Sequence, residues 1–387
     1  MALASQTGID EMLNSFFMGL DEEPRRIRTE IAEQVHLNDF LELLIEKQGS
    51  DLHLTAGSPP MVRVHGSLEP MEGFDILMPA ELRRILYDIL TAEQRTRFEE
   101  TRELDTSHPL PGRGRFRVNV FFQRDSVAAV LRSIPNEIKN PDELGMPAAV
   151  NSLAHLHRGL VLVTGPTGSG KSTSLASIIN LINTERASHI ITVEDPIEFL
   201  HRHKKSIVNQ REVGTDTLGF NQALKHILRQ DPDVILVGEM RDLETIGAAL
   251  TAAETGHLVF GTLHTQSAPQ SIERIIDVFP AHQQSQVRVM LAGSLQAVLS
   301  QQLLPTVDGK GRIAAVEVMI ATSAIRNLVR DGKVHQIPSA IQAGGKYGMQ
   351  TMDMALAAMT KQGKITRELA LERCNDKEAM QRLLQGG

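Results

Sequence analysis

The stretch GPTGSGKST, Gly165 to Thr173, decides how this chain is read. It fits the pattern G-x-x-x-x-G-K-[ST] without a mismatch, directly after the apolar run LVLVT and directly before the helical run KSTSLASIINLIN. Strand, glycine-rich turn and helix in that order build a phosphate cradle. The glycines let successive N–H groups turn inward, and the helix N-terminus adds positive potential. Gly165, Pro166, Thr167, Gly168, Ser169, Gly170, Lys171, Ser172 and Thr173 are therefore expected to hold ATP. Within the loop, Lys171 is expected to reach the β- and γ-phosphates and Ser172 to hold Mg²⁺.

Outward from the loop, the short apolar runs GLVLVTG, HIITVED, DVILVGE and HLVFGTL alternate with helical patterns. That alternation predicts a doubly wound α/β domain. In FNQALKHILRQ, for instance, Leu224, Ile227 and Leu228 form one apolar stripe. The tail is mostly helical, broken by LPTVDGKGR as a turn between two strands, GRIAAVEVMI being the second. A phosphate loop also needs an acid at the end of a second strand to organise hydrated Mg²⁺, and DVILVGE supplies Glu239. TVEDPIEF places Glu194, Asp195 and Glu198 close together at another strand end, where one carboxylate could deprotonate an attacking water. FGTLHT ends a further strand with His264, placed to sense a γ-phosphate or simply to satisfy the local fold.

The rest of the chain divides by texture. Residues 1–36 mix apolar and charged residues around DEEPRR and carry no readable chemistry. Residues 37–134 read as a small α+β domain, with helical runs DFLELLIEKQG, ELRRILYDIL and AEQRTRFEE. Its strand-like runs are DLHLTAG, PMVRVHG, GRFRVNVFFQR and SVAAVLRSI. In the third of these, alternation puts Arg115 and Arg117 on one strand face. Residues 135–147, PNEIKNPDELGMP, hold three prolines and read as an interdomain linker before the ATPase domain, 148–387.

Bulk composition narrows the class. With 41% hydrophobic and 22% charged residues among 387, the chain has the balance of a globular protein with two cores. One cysteine excludes a four-cysteine zinc site within the chain and suits a reducing compartment, so a cytoplasmic location is expected. No apolar run approaches the roughly 18 residues that span a bilayer, so any contact with the inner membrane would be peripheral. A net charge of −7, no tryptophan and two tyrosines argue against a nucleic-acid translocase, and no nucleic-acid partner is expected. The short basic run HRHKKS, His201 to Ser206, is the best support for that rival.

In chain order, GPTGSGKST, TVEDPIEF, VGEMRD and AAETGHLVFGTLHT resemble the Walker A, Asp box, Walker B and His box of the type II/IV secretion ATPase superfamily. SDLHLTAGSPPMVRVHG, GRFRVNVFFQR, NQREVGTDTLGF and AIRNLVRDGKV are similar to the branch that retracts type IV pili, from about Asn38 to the last helices. The resemblance implies a homohexamer of RecA-like P-loop cores, each packed against a neighbour's PAS-like N-terminal domain, with ATP at every interface. It further implies Glu198 as catalytic glutamate, with Glu194 as the alternative base, Glu239 as Walker B acid and His264 as sensor. Arg117 and Arg132 would reach the neighbour's γ-phosphate. The implied partner is an inner-membrane pilus platform protein, together with a PilU-like accessory paralogue. The AIRNLVR segment would serve retraction rather than hydrolysis. Extension and export ATPases of the superfamily usually carry the four-cysteine motif that this chain lacks. A PilU-like accessory role for this chain itself is the nearer alternative.

Overall fold

Why the apolar runs become strands and the amphipathic runs helices is plain from what each buries. The computed structural model describes residues 35–64, 66–134, 137–309 and 311–385. Most of the 1–36 extension and residues 135–136 of the linker lie outside the described residues. The chain divides into two compact units between Ser133 and Ile134.

In the first unit, helix α1 (Leu37–Glu46) turns Leu37, Phe40, Leu41 and Leu44 inward. Strands β1 (Asp51–Thr55), β2 (Met61–Val64) and β3 (Ser67–Pro70) follow, then helices α2 (Pro79–Asp88) and α3 (Ala92–Thr101). Strands β4 (Glu103–Leu110), β5 (Gly114–Gln123) and β6 (Ser126–Ile134) complete a six-stranded sheet of order β3-β2-β1-β6-β5-β4. Its core joins Leu52, Phe116, Val118 and Leu131 of the sheet to Phe40, Leu82, Ile85 and Phe98 of the helices. Phe98 is fully buried and stacks on Phe122 at 4.8 Å.

The second unit is an α/β core. After turns over 137–148 and the short helix α4 (Ala149–Leu153), β7 (Gly159–Thr164) runs into the phosphate loop and helix α5 (Lys171–Glu185). Then come β8 (His189–Glu194), β9 (Ile207–Glu212), α6 (Phe220–Ile227), β10 (Val234–Val237), α7 (Leu243–Glu254) and β11 (Leu258–Leu263). Helices α8 (Ala268–Asp277) and α9 (Ala281–Ser294) lead to the hairpin β12 (Leu295–Pro305) and β13 (Arg312–Ile320). The tail is helical: α10 (Ser323–Arg330), α11 (Ile337–Ala343), α12 (Met352–Lys361), α13 (Arg367–Arg373) and α14 (Lys377–Gln385).

The seven strands lie in the order β13-β12-β7-β11-β10-β8-β9. All pairings are parallel except β12 with β13. Parallel strands covered on both faces need apolar residues throughout, and β7, β10 and β11 are buried at every position. One face packs on α6 to α11, the other on α4 and α5. In α6 the expected stripe forms with Leu224 and Ile227 buried, while Leu228 is the partly buried C-cap. The chain crosses to either side of β7, and a ligand crevice forms at the carboxyl ends of strands around such a switch point.

Candidate active site

Four strand ends bring the chemistry together. β7 delivers the loop, β8 ends in Glu194, β10 is followed by Glu239, and β11 by His264. Gly165 sits so close to β12 that a Cβ would lie 2.4 Å from the Gln301 carbonyl oxygen, at φ +143. Only glycine fits there. Gly168 and Gly170 have φ of +78 and +90, the left-handed turn that curls the loop into a cradle.

No side chain caps the N-terminus of α5, so its first N–H groups remain available to an anion. Lys171 Nζ lies across the loop, donating to the Gly165 and Pro166 carbonyls at 2.8 and 3.1 Å. Burial lowers its pKa, and the charges of Glu239 and Glu198 oppose that fall. Among the described residues the buried Ser169 hydroxyl has no partner. A cradle with open donors, a lysine facing two carboxylates and a spare hydroxyl fits a magnesium-bound polyphosphate.

The acidic side is ordered by hydrogen bonds. Glu239 Oε1 meets His264 Nε2 at 2.7 Å and also takes the Arg241 guanidinium. Glu239 and His264 therefore touch. Glu194 is spent on its surroundings: Oε1 accepts from Thr192 Oγ1 at 2.6 Å and from Gln210 Nε2 at 3.1 Å, and Oε2 faces the Glu198 N–H at 3.5 Å. Burial pushes the Glu194 carboxyl up despite those bonds. Glu198, by contrast, is exposed. The Asp195–Pro196 peptide between them is cis, and Asp195 is exposed.

Arg241, Thr192 and Gln210 escaped the sequence reading. Only the arginine left a signal, two residues after Glu239. Within HRHKKS, Lys204 Nζ bonds Asn180 Oδ1 and Thr184 Oγ1 at 2.8 and 3.0 Å, so one of its charges is used locally.

In the first unit, Phe116 and Val118 of β5 are buried while Arg117 is exposed. Arg115 shares its face and donates to the Ser107 hydroxyl. Arg132 Nε donates to Asp51 Oδ1 at 2.7 Å, directly across the β1–β6 pairing. Burial pushes the Asp51 carboxyl up, but Ser50 and Arg132 outweigh it and hold the carboxyl below its usual range.

Residues 110–383 match the family model described as "Type II/IV secretion system protein". The chain belongs to the type II/IV secretion system protein family. Within it, the chain is 55% identical over 341 residues to the type IV pilus retraction ATPase PilT of Pseudomonas aeruginosa, covering 87% of this chain and 98% of that one. The type IV pilus ATPase PilU of the same organism is 44% identical over 348 residues, 90% of this chain and 91% of that one. A crystal structure of the pilus retraction motor PilT with bound ADP superposes with a TM-score of 0.84 at 50% identity, covering 90% of this chain and all of that one. The ATPase DotB of Legionella pneumophila gives 0.76 at 30% identity, covering 85% and 92%. Among the described residues no helix is long and apolar enough to cross a membrane.

Proposed function

We infer that this chain is an ATPase that powers type IV pilus retraction, working as a homohexamer against an inner-membrane platform protein, with a PilU-like paralogue as accessory. The observation that carries the ATPase reading is the convergence of Lys171, Glu239 and His264 at the carboxyl ends of three neighbouring strands. Retraction is supported by 55% identity to PilT against 44% to PilU.

Ser172 and Glu239 are the residues that would hold Mg²⁺, which supplies charge neutralisation on the phosphates. Lys171 leaves the Gly165 and Pro166 carbonyls for the β- and γ-phosphate oxygens. Glu198 is the base. It takes a proton from the water whose oxygen attacks the γ-phosphorus, while the bond to the ADP oxygen breaks. Glu194 positions it, since its own lone pairs are engaged and its second oxygen faces the Glu198 N–H. His264 and Arg241 hold the Glu239 carboxylate in place. Arg117 and Arg132 act on a neighbouring subunit's γ-phosphate.

Phosphate release from Mg·ATP is expected to rise with hexamer content, and cells lacking the protein are expected to gain pili and lose twitching. A monomer active at full rate would sink the ring, and loss of pili from those cells would sink retraction.

A further inference from the structure

Three fully buried hydroxyls and two buried carboxylates tie the His264 turn to the C-terminal helices, and the chemistry above uses none of them. Thr164, the residue before the phosphate loop, donates to Ser300 of β12 at 3.1 Å and lies 3.4 Å from the Ser271 hydroxyl of α8, which donates to the Ser267 carbonyl at 2.7 Å. Ser271 meets Thr265, next to His264, at 2.6 Å. Ser300 also bonds Glu317, its register partner on β13. Glu317 Oε1 accepts the Ala268 N–H at 2.8 Å, and the carboxylate takes the Met352 N–H as well. Ala268 and Met352 are the first residues of α8 and α12.

One buried carboxylate therefore closes two helix N-termini. Its neighbour Asp353 accepts the N–H groups of Asn375 and Asp376 at 2.7 and 3.0 Å. Arg373, Cys374 and Asn375 in turn face Pro166 to Ser169 across a cavity of roughly 440 Å³. A buried carboxylate is costly unless its oxygens are satisfied: burial pushes the Glu317 carboxyl up, and the Ala268 and Met352 N–H groups and the Ser300 hydroxyl pull against that rise. An apolar residue at 317 would leave the Ala268 and Met352 N–H groups without that acceptor, while Ser267 and Thr351 still cap Gln270 and Met354.

We propose that Glu317 is a positioning residue for ATP hydrolysis: it locks α8 and α12 to β12 and β13, so that the His264 turn and the wall at residues 373–375 keep register with the phosphate loop. The proposal rests on the ATPase reading. It places the effect in turnover rather than in nucleotide binding, because Glu317 acts through the turn and touches no loop donor.

The test uses full-length wild type, Glu317→Ala, Glu317→Gln and Ser271→Ala, each checked for wild-type oligomer mass. Glu317→Ala is expected to lower kcat about tenfold or more, the scale of a small misplacement of a reacting group. Affinity for a non-hydrolysable ATP analogue, measured by calorimetry, stays within about threefold, as for an interaction made in the transition state. Glu317→Gln, which keeps one acceptor oxygen, falls between the two. Cys374 is the only cysteine in the chain, so its labelling rate by a thiol reagent reports on the wall. That rate is expected to rise about threefold or more in Glu317→Ala as the wall loosens.

If kcat is unchanged, or if kcat and affinity fall together with no recovery in Glu317→Gln, the proposal is overturned. Should Glu317→Ala fail to fold, Ser271→Ala decides. It is expected to lower kcat about threefold or more with binding retained, and unchanged turnover there overturns the relay. Failure of wild type to bind or hydrolyse ATP would instead strike the ATPase reading itself.

Discussion

The two units handle their charged residues in opposite ways. In the α/β core the functional groups bond one another: Glu239 with His264 and Arg241, Glu194 with Thr192 and Gln210. In the first unit Arg117 and Arg132 stand on exposed strand positions, and Arg132 is held by Asp51. A preorganised cluster can bind and polarise a substrate by itself. Exposed arginines on a strand face can act only on something brought to them. The core thus holds a preassembled cluster, while the first unit offers charges that have none of their own.

Substitution of Arg117 should cost the most. An arginine supplied across an interface is worth about 10³-fold or more in rate, so Arg117→Ala is expected to lose about that much with nucleotide affinity unchanged. Mixing it with Lys171→Ala subunits should restore part of the activity, because some interfaces then pair an intact loop with an intact arginine. A mixture that stays inactive, with mixed rings confirmed by mass, would show that Arg117 does not act in trans. Arg132→Ala is a less clean probe. Removing it leaves Asp51, only 4% exposed, without its cation, so stability falls along with rate.

A second test sharpens the core side. Glu198→Gln is expected to cost about 10²-fold or more in kcat with ATP binding retained, as for loss of a general base. Glu194→Gln keeps an oxygen for Thr192 and costs less. Reversal of that order, read from phosphate release in assembled protein, would make Glu194 the base and Glu198 its neighbour.

The core strands were legible because they are buried on both faces and read as continuous apolar runs. The strands that the sequence reading passed over, β3, β4 and β9, are sheet edges. An edge strand tolerates polar residues and proline, and β4 carries Pro109 within ELDTSHPL. At the site, the loop and the carboxylates were legible from spacing. Which carboxylate is free was not, because Glu194 and Glu198 differ only through contacts made by Thr192 and by Gln210 from β9. Glu317 was invisible for the same reason. Its partners start two helices that lie about fifty residues before it and thirty-five after it, and no local pattern records such a meeting.

The smallest effect concerns the cavity under α5, where His201 lies beside Ser172, Glu194 and Phe199. Burial first, and Lys204 second, lower the His201 pKa from 6.5 to about 4, and among the described residues its buried Nδ1 has no partner. The unfolded chain therefore binds a proton near pH 6.5 that the native state refuses until about 4. The stability tied to neutral His201 is complete above pH 6.5 and is lost as pH falls through that window. Glu194 works the other way, since its raised pKa makes the native state hold a proton that the unfolded chain releases above 4.5. Wild type alone mixes the two signs. His201→Gln separates them: its thermal midpoint relative to wild type is expected to climb progressively, by more than about 4 °C, between pH 6.5 and 4. Above pH 7 the difference should stay constant. Parallel curves across the window would mean that His201 is already solvated in the native core, and that the cavity beside Glu194 is wet.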